Sequence, residues 1–257
     1  MMNLIRLDCE STDSACASLS AFSGLESQEV LAKLNQCSES AESELAGCER
    51  WQALADWLSV PSNSFEVCWF HGTRTANPES FLSGILPLQH RLDGIWNELA
   101  ALITDRVDAS EFALLRRTVE RDNYGTGNIP DVIEARMRDQ GPYAFLIKAI
   151  AVNPPSGAMH HYSRLPEIVD LILSNFPEPH HVELKQRYFR QTKPCIVKFV
   201  SDESQRQIVG CAADYLLHLQ QGYALECFLP WNFDGAGRQI PSQRILYCEH
   251  INTNFAH

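Results

Sequence analysis

The hydrophobic residues follow two patterns: in some segments they recur at helical spacing, and in others they form short continuous runs. Leu45, Trp51, Leu54 and Leu58 recur at helical intervals and predict a helix over 41–59. Apolar runs rich in β-branched and aromatic residues predict buried strands; they lie at 65–70, 141–147, 195–200, 223–231 and 245–251. Further helices are predicted at 27–35, 77–84, within 91–138, and at 166–176 and 211–220. Residues 1–26 have little periodicity, and no element is predicted there.

The order of these elements indicates the fold class. Strands and helices interleave without the regular alternation of a parallel sheet, which is typical of an α+β fold. Pro61 and the Ser-Asn-Ser turn at 62–64 interrupt the pattern. The sequence therefore predicts a helical N-terminal extension over 1–63 and a second domain over 64–257. The helices of 91–138 are predicted to be an insertion in that domain.

Composition and charge narrow the class of protein. The 257 residues are 45% hydrophobic and 21% charged, which is typical of a globular protein and not of a disordered or fibrous one. The formal net charge of -11 disfavours a broad basic face for nucleic acid. Residues 1–60 hold ten carboxylates and three cations. We expect this acidic segment to be an inhibitory element or to bind a partner, with simple solubility as the commoner alternative.

The cysteines and the apolar runs bear on location and metal binding. The nine cysteines form no Cys-x-x-Cys pair, which favours free thiols in a reducing cytoplasm. No signal peptide opens the chain, and no apolar run approaches the ~20 residues that span a bilayer. The pairs His160-His161 and His180-His181 lack a partner at ligand spacing. The sequence thus predicts a cytoplasmic protein with no membrane contact and no metal site.

The most informative motif is His71-Gly72-Thr73-Arg74, at the end of the predicted strand 65–70. A glycine has no Cβ, so its backbone amide and carbonyl can approach a ligand closely. The histidine offers one donor and one acceptor, and the arginine can meet a phosphate with two parallel hydrogen bonds. The alternative is a tight turn with a solvated arginine.

This motif, followed by a short helix and Ser83-Gly84-Ile85-Leu86, resembles the first core strand of the His–Tyr–Glu ADP-ribosyltransferases. That group contains the diphtheria-toxin and poly(ADP-ribose) polymerase types, and this chain is similar to a divergent, bacterial-toxin-like member. Two later blocks match in order: Gly141-Pro142-Tyr143-Ala144-Phe145 and the segment around Glu226. The resemblance covers about 65–251 in outline and implies split antiparallel sheets with inserted helices.

The resemblance implies that NAD is the co-substrate and assigns roles to its binding residues. Gly72 would bind the nicotinamide carboxamide through its backbone, His71 the adenosine-side ribose, and Tyr143 would stack on the nicotinamide. Arg74 would steady the pyrophosphate, with Thr73 beside it. Glu226 would hydrogen-bond the ribose 2′-hydroxyl and stabilise the positive charge that develops as the glycosidic bond breaks.

Two of these assignments have rivals in the sequence. Tyr162, followed by Ser163 ahead of a predicted helix, is an alternative to Tyr143, since Pro142 and Ala144 are unusual beside the family tyrosine. Glu249, in the last β run, is an alternative to Glu226. Glu226 is preferred because the family has a further strand after its glutamate.

The expected activity is transfer of mono-ADP-ribose from NAD to a macromolecule, protein or nucleic acid, with release of nicotinamide. Such an enzyme would suit a toxin–antitoxin or phage-defence effector. The alternatives are an NAD glycohydrolase, an RNA 2′-phosphotransferase-like relative, and a binding module without turnover. A basic and aromatic stretch over 185–193 could touch a nucleic-acid or protein substrate, although such stretches are more often solvated faces.

Overall fold

The computed structural model describes residues 5–38, 47–61, 63–121, 141–155, 161–174, 176–178, 180–225 and 228–252. The predicted third helix of the 91–138 segment, over 130–138, and Glu226 lie outside these ranges. Within them the helices are α1 Thr12–Ser23, α2 Ser27–Ser38, α3 Gly47–Trp57, α4 Leu88–Ala101, α5 Ala109–Arg121, α6 Lys148–Val152, α7 Glu167–Ser174, α8 His180–Gln191 and α9 Arg206–Gln220. Short 3₁₀ helices cover Pro78–Ser83 and Ser242–Arg244.

The strands of the described chain form two sheets. They are β1 Arg6–Leu7, β2 Phe65–Thr75, β3 Gly84–Ile85, β4 Tyr143–Phe145, β5 Lys193–Glu203, β6 Asn232–Asp234, β7 Ile240–Pro241 and β8 Ile245–His250. The larger sheet has the order β6-β4-β2-β5-β8, with β1 also paired to β2, and β3 pairs with β7. Helices and largely antiparallel strands are thus mixed, and the α+β prediction is confirmed.

The central strand β2 follows from its apolar sequence. Phe65 and the run Val67–Phe70 are buried, so both faces of this part of the strand are covered. β1 runs parallel to β2, with Leu7 opposite Val67. β4 runs antiparallel to β2, with Phe70 opposite Phe145. The strand extends five residues beyond the predicted 65–70, to Thr75.

The chain divides into two compact units, and the first contains residues 1–71, 144–159 and 198–233. The N-terminal segment that we predicted to end near residue 63 is thus grouped with much later residues. α3 packs on α9, where Trp51 Nε1 donates to Asp214 Oδ2 at 3.1 Å. A Cβ on Gly210 of α9 would lie 2.6 Å from the backbone carbon of Trp51. Only glycine permits this approach of the two helices.

The helix α1 lies in the segment for which no element was predicted. The Ser11 side chain accepts from the Ser14 N–H, and the Ser14 side chain accepts in turn from the Ser11 N–H. This reciprocal cap satisfies two donors at the start of the helix. Ala15, Leu19 and Phe22 are buried at helical spacing. Small alanine, serine and cysteine residues made this periodicity faint in the sequence.

A buried ion cluster fixes the N-terminal strand in the first unit. The Lys198 side chain, only 7% exposed, lies on β5 and meets Asp8 Oδ2 at 2.6 Å and Glu10 Oε2 at 2.7 Å. Lys148 meets the other oxygen of Glu10 at 2.8 Å. Two cations and two carboxylates therefore offset one another. The acidic residues next to β1 act here as internal ion-pair partners.

The second unit contains residues 72–143, 160–197 and 234–257. The described helices of the predicted 91–138 insertion, α4 and α5, share one apolar core with α7 and α8. Trp96 lies at its centre, with ring centroids 6.2 Å from both Phe112 and Phe176. Because this core is shared, these helices are an integral part of the second unit.

One predicted strand is wrong within the described residues. Residues 223–225 and 228–231, on either side of Glu226, are not in a strand. The aromatic and β-branched content of 223–231 resembled a strand, but Pro230 and the glycine after α9 favour a turn. The predicted strands at 195–200 and 245–251 are confirmed as parts of β5 and β8.

Candidate functional site

The motif that carries the resemblance lies inside β2, not after it. His71 is the last residue of the first unit, and Gly72 is the first of the second. Gly72 is buried, while Thr73 and Arg74 are half-buried. The contacts described below are those of the second unit, which contains Gly72 onward.

The register between β2 and β4 brings Gly72 and Tyr143 together. Phe70 is opposite Phe145 in an antiparallel pair, so continuing the register by two residues places Gly72 opposite Tyr143. Side chains of directly opposed residues lie on the same face of a sheet. Since glycine has no side chain, the face beside the Tyr143 ring is not filled by its cross-strand neighbour. This arrangement suits the binding of a flat ring.

The residues before Tyr143 are held by a glycine-rich turn. Gly235 N–H donates to the Pro142 carbonyl at 3.0 Å, and Gly237 N–H donates to the Gly141 carbonyl at 2.9 Å. A Cβ on Gly141 would lie 3.3 Å from Cδ2 of the Tyr143 ring. The turn and Gly141 together fix where β4 begins, and with it the position of Tyr143.

Arg74 caps the C-terminus of α8. Its Nη2 donates to the Thr192 carbonyl at 2.9 Å and to the Phe189 carbonyl at 3.4 Å, and its Nε donates to Thr192 Oγ1 at 3.2 Å. Its Cζ lies 4.9 Å from the Phe189 ring centroid. The last carbonyls of a helix lack partners within it and carry partial negative charge, so a cation is stabilising there. Burial lowers the pKa of Arg74.

These contacts give Arg74 a structural role that the sequence did not predict. Together with a long bond from Nη1 to the Ser163 carbonyl, at 3.5 Å, they engage most of the five N–H donors of the guanidinium. The side chain thus ties β2 to α8, and its contact with a pyrophosphate stays a prediction.

Tyr162 and Ser163 lie in the turn that precedes α7. The Ser163 side chain is fully buried, and its Oγ lies 3.1 Å from His161 Nδ1. The backbone closes the turn, because Leu165 N–H donates to the His161 carbonyl at 3.1 Å. The structure thus brings Ser163 to Arg74, and Tyr162 follows as a half-buried neighbour. Full burial of its side chain makes Ser163 a structural residue of this turn.

Of the two candidate catalytic glutamates, Glu226 and Glu249, the structure describes only Glu249. Glu226 lies outside the described residues. Glu249 is half-buried on β8, and its backbone N–H bonds to the Cys195 sulfur of β5. The next residue, His250, lies with Nε2 3.3 Å from the carbonyl oxygen of Thr75. Glu249 is therefore one residue from a contact with the strand that carries Gly72 and Arg74.

The basic and aromatic stretch over 185–193 falls largely on α8, and two of its four cations are in ion pairs. Lys185 Nζ meets Asp170 Oδ1 at 3.0 Å. Arg187 binds Glu183 at 2.5 Å and also Asp105. The Tyr188 side chain is buried in the core. Arg190 and Lys193 are exposed, so the stretch serves partly the packing of the second unit and is partly a solvated face.

The described ranges contain neither a metal-binding cluster nor a membrane-spanning helix. No group of three or more His, Cys, Asp or Glu side chains there is arranged to hold a metal ion. None of the helices in those ranges combines the length and the apolar character needed to cross a membrane. Comparison with family models, with curated proteins and with solved structures finds no match to this chain.

Sequence reasoning missed the residues that support the site. The candidate residues predicted from the sequence include neither Thr192 nor the turn Asp234-Gly235-Ala236-Gly237. The two glycines, two residues apart, were a visible signal of a close backbone approach. No sequence signal pairs Thr192 with Arg74, because the two residues are 118 positions apart.

Proposed function

We propose that this protein is an NAD-dependent ADP-ribosyltransferase, which moves ADP-ribose to a macromolecular acceptor and releases nicotinamide. The observation that supports this best is the register that sets Gly72 of the His-Gly-Thr-Arg segment opposite Tyr143. The two residues come from sequence blocks about 70 positions apart, and the resemblance requires them to meet at one ligand.

In this proposal, Gly72 and Tyr143 bind and orient the nicotinamide group of NAD. The Gly72 backbone would pair with the nicotinamide carboxamide, and the Tyr143 ring would stack on the pyridinium. A cationic ring over an aromatic face is favourable by about 1 kcal/mol or more when water is excluded. As the glycosidic bond breaks, nicotinamide becomes neutral and leaves. His71, adjacent in sequence, would hold the adenosine-side ribose.

In this proposal, the glutamate stabilises the transition state electrostatically. The bond to nicotinamide breaks with positive charge developing on the ribose, and a fixed carboxylate stabilises that charge more than it stabilises the bound ground state. Glu226 is our first candidate, and Glu249 is the second. Replacing the catalytic glutamate with glutamine removes this carboxylate and is expected to lower kcat by at least about 100-fold.

The proposal is tested by measuring nicotinamide release from NAD by the purified full chain. The variants are Tyr143→Ala, Tyr143→Phe, Glu226→Gln and Glu249→Gln. Leu114→Ala is the control, because Leu114 is 58% exposed and belongs to none of the three motif blocks. Tyr143→Ala should lower kcat/KM at least about tenfold through lost stacking, while Tyr143→Phe keeps most activity. The control should equal the wild type.

The acceptor is identified by the same reaction with labelled NAD in a cell lysate. Label fixed on protein or nucleic acid, in a reaction that needs the lysate, supports the transferase and names the class of acceptor. Nicotinamide release without label transfer identifies an NAD glycohydrolase instead. Absence of NAD binding by calorimetry together with absence of release would overturn the enzyme proposal.

A further inference from the structure

Two cysteine thiols face each other across neighbouring strands of the second unit. Cys195 on β5 and Cys248 on β8 have their sulfur atoms 3.1 Å apart. This is about 1 Å more than a disulfide bond, whose S–S length is about 2.05 Å. Small rotations of the two side chains would therefore bring the sulfurs to bonding distance.

The surroundings hold the two thiols in place. Ile251 N–H donates to the Pro194 carbonyl at 2.9 Å, one residue from Cys195. The Glu249 N–H, next to Cys248, bonds to the Cys195 sulfur. Both strands are thus fixed by backbone contacts on the flanks of the pair. An oxidised pair needs no rearrangement of the strands around it.

The two thiols differ in exposure and in how readily they ionise. Cys195 is fully buried, whereas Cys248 is half-buried and open to a small reagent. The hydrogen bond from the Cys195 thiol lowers the pKa of Cys248. The same contact, with burial, raises the pKa of Cys195. Cys248 is therefore the more readily ionised of the two thiols. The thiolate is the reactive form of a cysteine, so Cys248 is the first of the pair to react.

We propose that Cys195 and Cys248 form a reversible oxidation site, at which hydrogen peroxide converts the two thiols to an intrachain disulfide. The Cys248 thiolate attacks one peroxide oxygen, which breaks the O–O bond and yields a sulfenic acid and hydroxide. The Cys195 sulfur then attacks the Cys248 sulfur, and the S–O bond breaks with loss of water. The two thiols are oxidised by two electrons, and the peroxide is reduced.

The other described cysteines provide the contrast. Cys9, Cys68 and Cys211 are buried, and burial raises the pKa of each thiol. Such thiols react slowly, because little thiolate is present at neutral pH. Cys48 on α3 is exposed. It serves as an internal reference for ordinary thiol reactivity in the same molecule.

The test is peptide mapping of the full chain after treatment with hydrogen peroxide. Free thiols are blocked with N-ethylmaleimide and the protein is digested with trypsin. The cross-linked product joins residues 191–198, in which Pro194 blocks cleavage after Lys193, to residues 245–257. Its mass is that of the two peptides less two hydrogen atoms. We expect this product to form at least about tenfold faster than oxidation of Cys48, and to disappear with dithiothreitol.

Variants separate the two roles. Cys248→Ser should abolish oxidation of Cys195, whereas Cys195→Ser should leave Cys248 as a sulfenic acid that dimedone traps. Cys48→Ser should form the linked peptide as the wild type does. If a cysteine variant fails to fold by circular dichroism, the wild-type peptide map decides alone. Failure to form the linked peptide, or oxidation of Cys248 no faster than that of Cys48, would overturn the proposal.

Discussion

Gly235 donates its backbone N–H to the Pro142 carbonyl at 3.0 Å, and this contact holds the glycine-rich turn against the residue that precedes Tyr143. A Cβ on Gly235 would lie 2.6 Å from Pro142 Cδ and 3.0 Å from the Gly141 carbonyl oxygen. The hydrogen bond between Gly235 and Pro142 therefore requires a residue without a side chain at position 235. The position of the candidate stacking residue rests on a turn that follows it by about 90 positions.

Gly235→Ala is expected to lower the free energy of unfolding by about 2 kcal/mol, because the atoms that the methyl group meets belong to the backbone and a proline ring. The measurement is urea unfolding followed by fluorescence. Gly94→Ala is the matched control: its methyl group would meet only the end of the Arg91 side chain, which can move. That variant should gain about 0.5–1 kcal/mol from its place in a helix. Equal stability of the two variants would contradict the close approach at Gly235.

Lys198→Met is expected to lower the free energy of unfolding by about 3 kcal/mol, because it leaves Asp8 without the cation that offsets its burial and leaves Glu10 with Lys148 as its remaining cation. The control is Lys185→Met, which makes the same change in an ion pair with side chains 37% and 39% exposed. Exposed pairs are worth at most about 1 kcal/mol. Urea unfolding of both variants at neutral pH makes the comparison. A loss as small as that of the control would show that the Lys198 cluster is screened by solvent.

The same lysine predicts a pH dependence. Burial lowers the pKa of Lys198, but the hydrogen bonds to Asp8 and Glu10 outweigh it, and the net pKa is raised above the ordinary 10.5. A raised folded-state pKa means that the folded protein binds the proton more tightly than the unfolded chain does. This contribution is fully present below pH 10.5 and is lost as the pH rises through the higher folded-state value. The stability difference between wild type and Lys198→Met should thus be constant from pH 7 to pH 9 and fall above pH 10.5. A difference that instead grows above pH 10.5 would contradict the raised pKa.

Arg74→Lys is expected to lower the free energy of unfolding by about 2 kcal/mol, because a lysine cannot reach the Phe189 and Thr192 carbonyls and Thr192 Oγ1 together. Arg190→Lys, on the exposed side of the same helix, should change the stability by less than about 0.5 kcal/mol. Thermal unfolding of the two variants measures this. If Arg74→Lys keeps wild-type stability but weakens NAD binding, the guanidinium serves the cofactor instead of α8.

Several parts of the fold were determined by local sequence. The helices α2, α7 and α9 and the strands β2, β5 and β8 were predicted at or near their observed positions, because apolar spacing alone decides which face of such an element can be buried. The short helix before Gly84, with Asn77 at its cap and Pro78 at its start, was predicted from its ends. The order of the three motif blocks was likewise visible along the chain.

Other parts were decided by tertiary structure. The run at 223–231 has strand-like residues, but the described parts of it are not in a strand, since strand formation depends on a partner with free hydrogen-bonding groups. The acidic segment 1–63 was predicted to stand apart, yet charges at Asp8 and Glu10 are partners of a buried lysine 190 and 188 positions away. Composition gives the net charge of a segment, but it does not show which charged side chains form ion pairs in the folded protein.

For the candidate site, too, some features follow from the sequence and others from the tertiary structure. The sequence by itself determined which residues offer the chemistry: a glycine for backbone contact, a tyrosine for stacking and glutamates for charge. Only the tertiary structure decided that Gly72 faces Tyr143, that Arg74 caps a helix, and that Cys195 meets Cys248. The physical reason is that hydrogen-bonding register and helix ends bring together residues far apart in the chain, whereas sequence patterns describe only near neighbours.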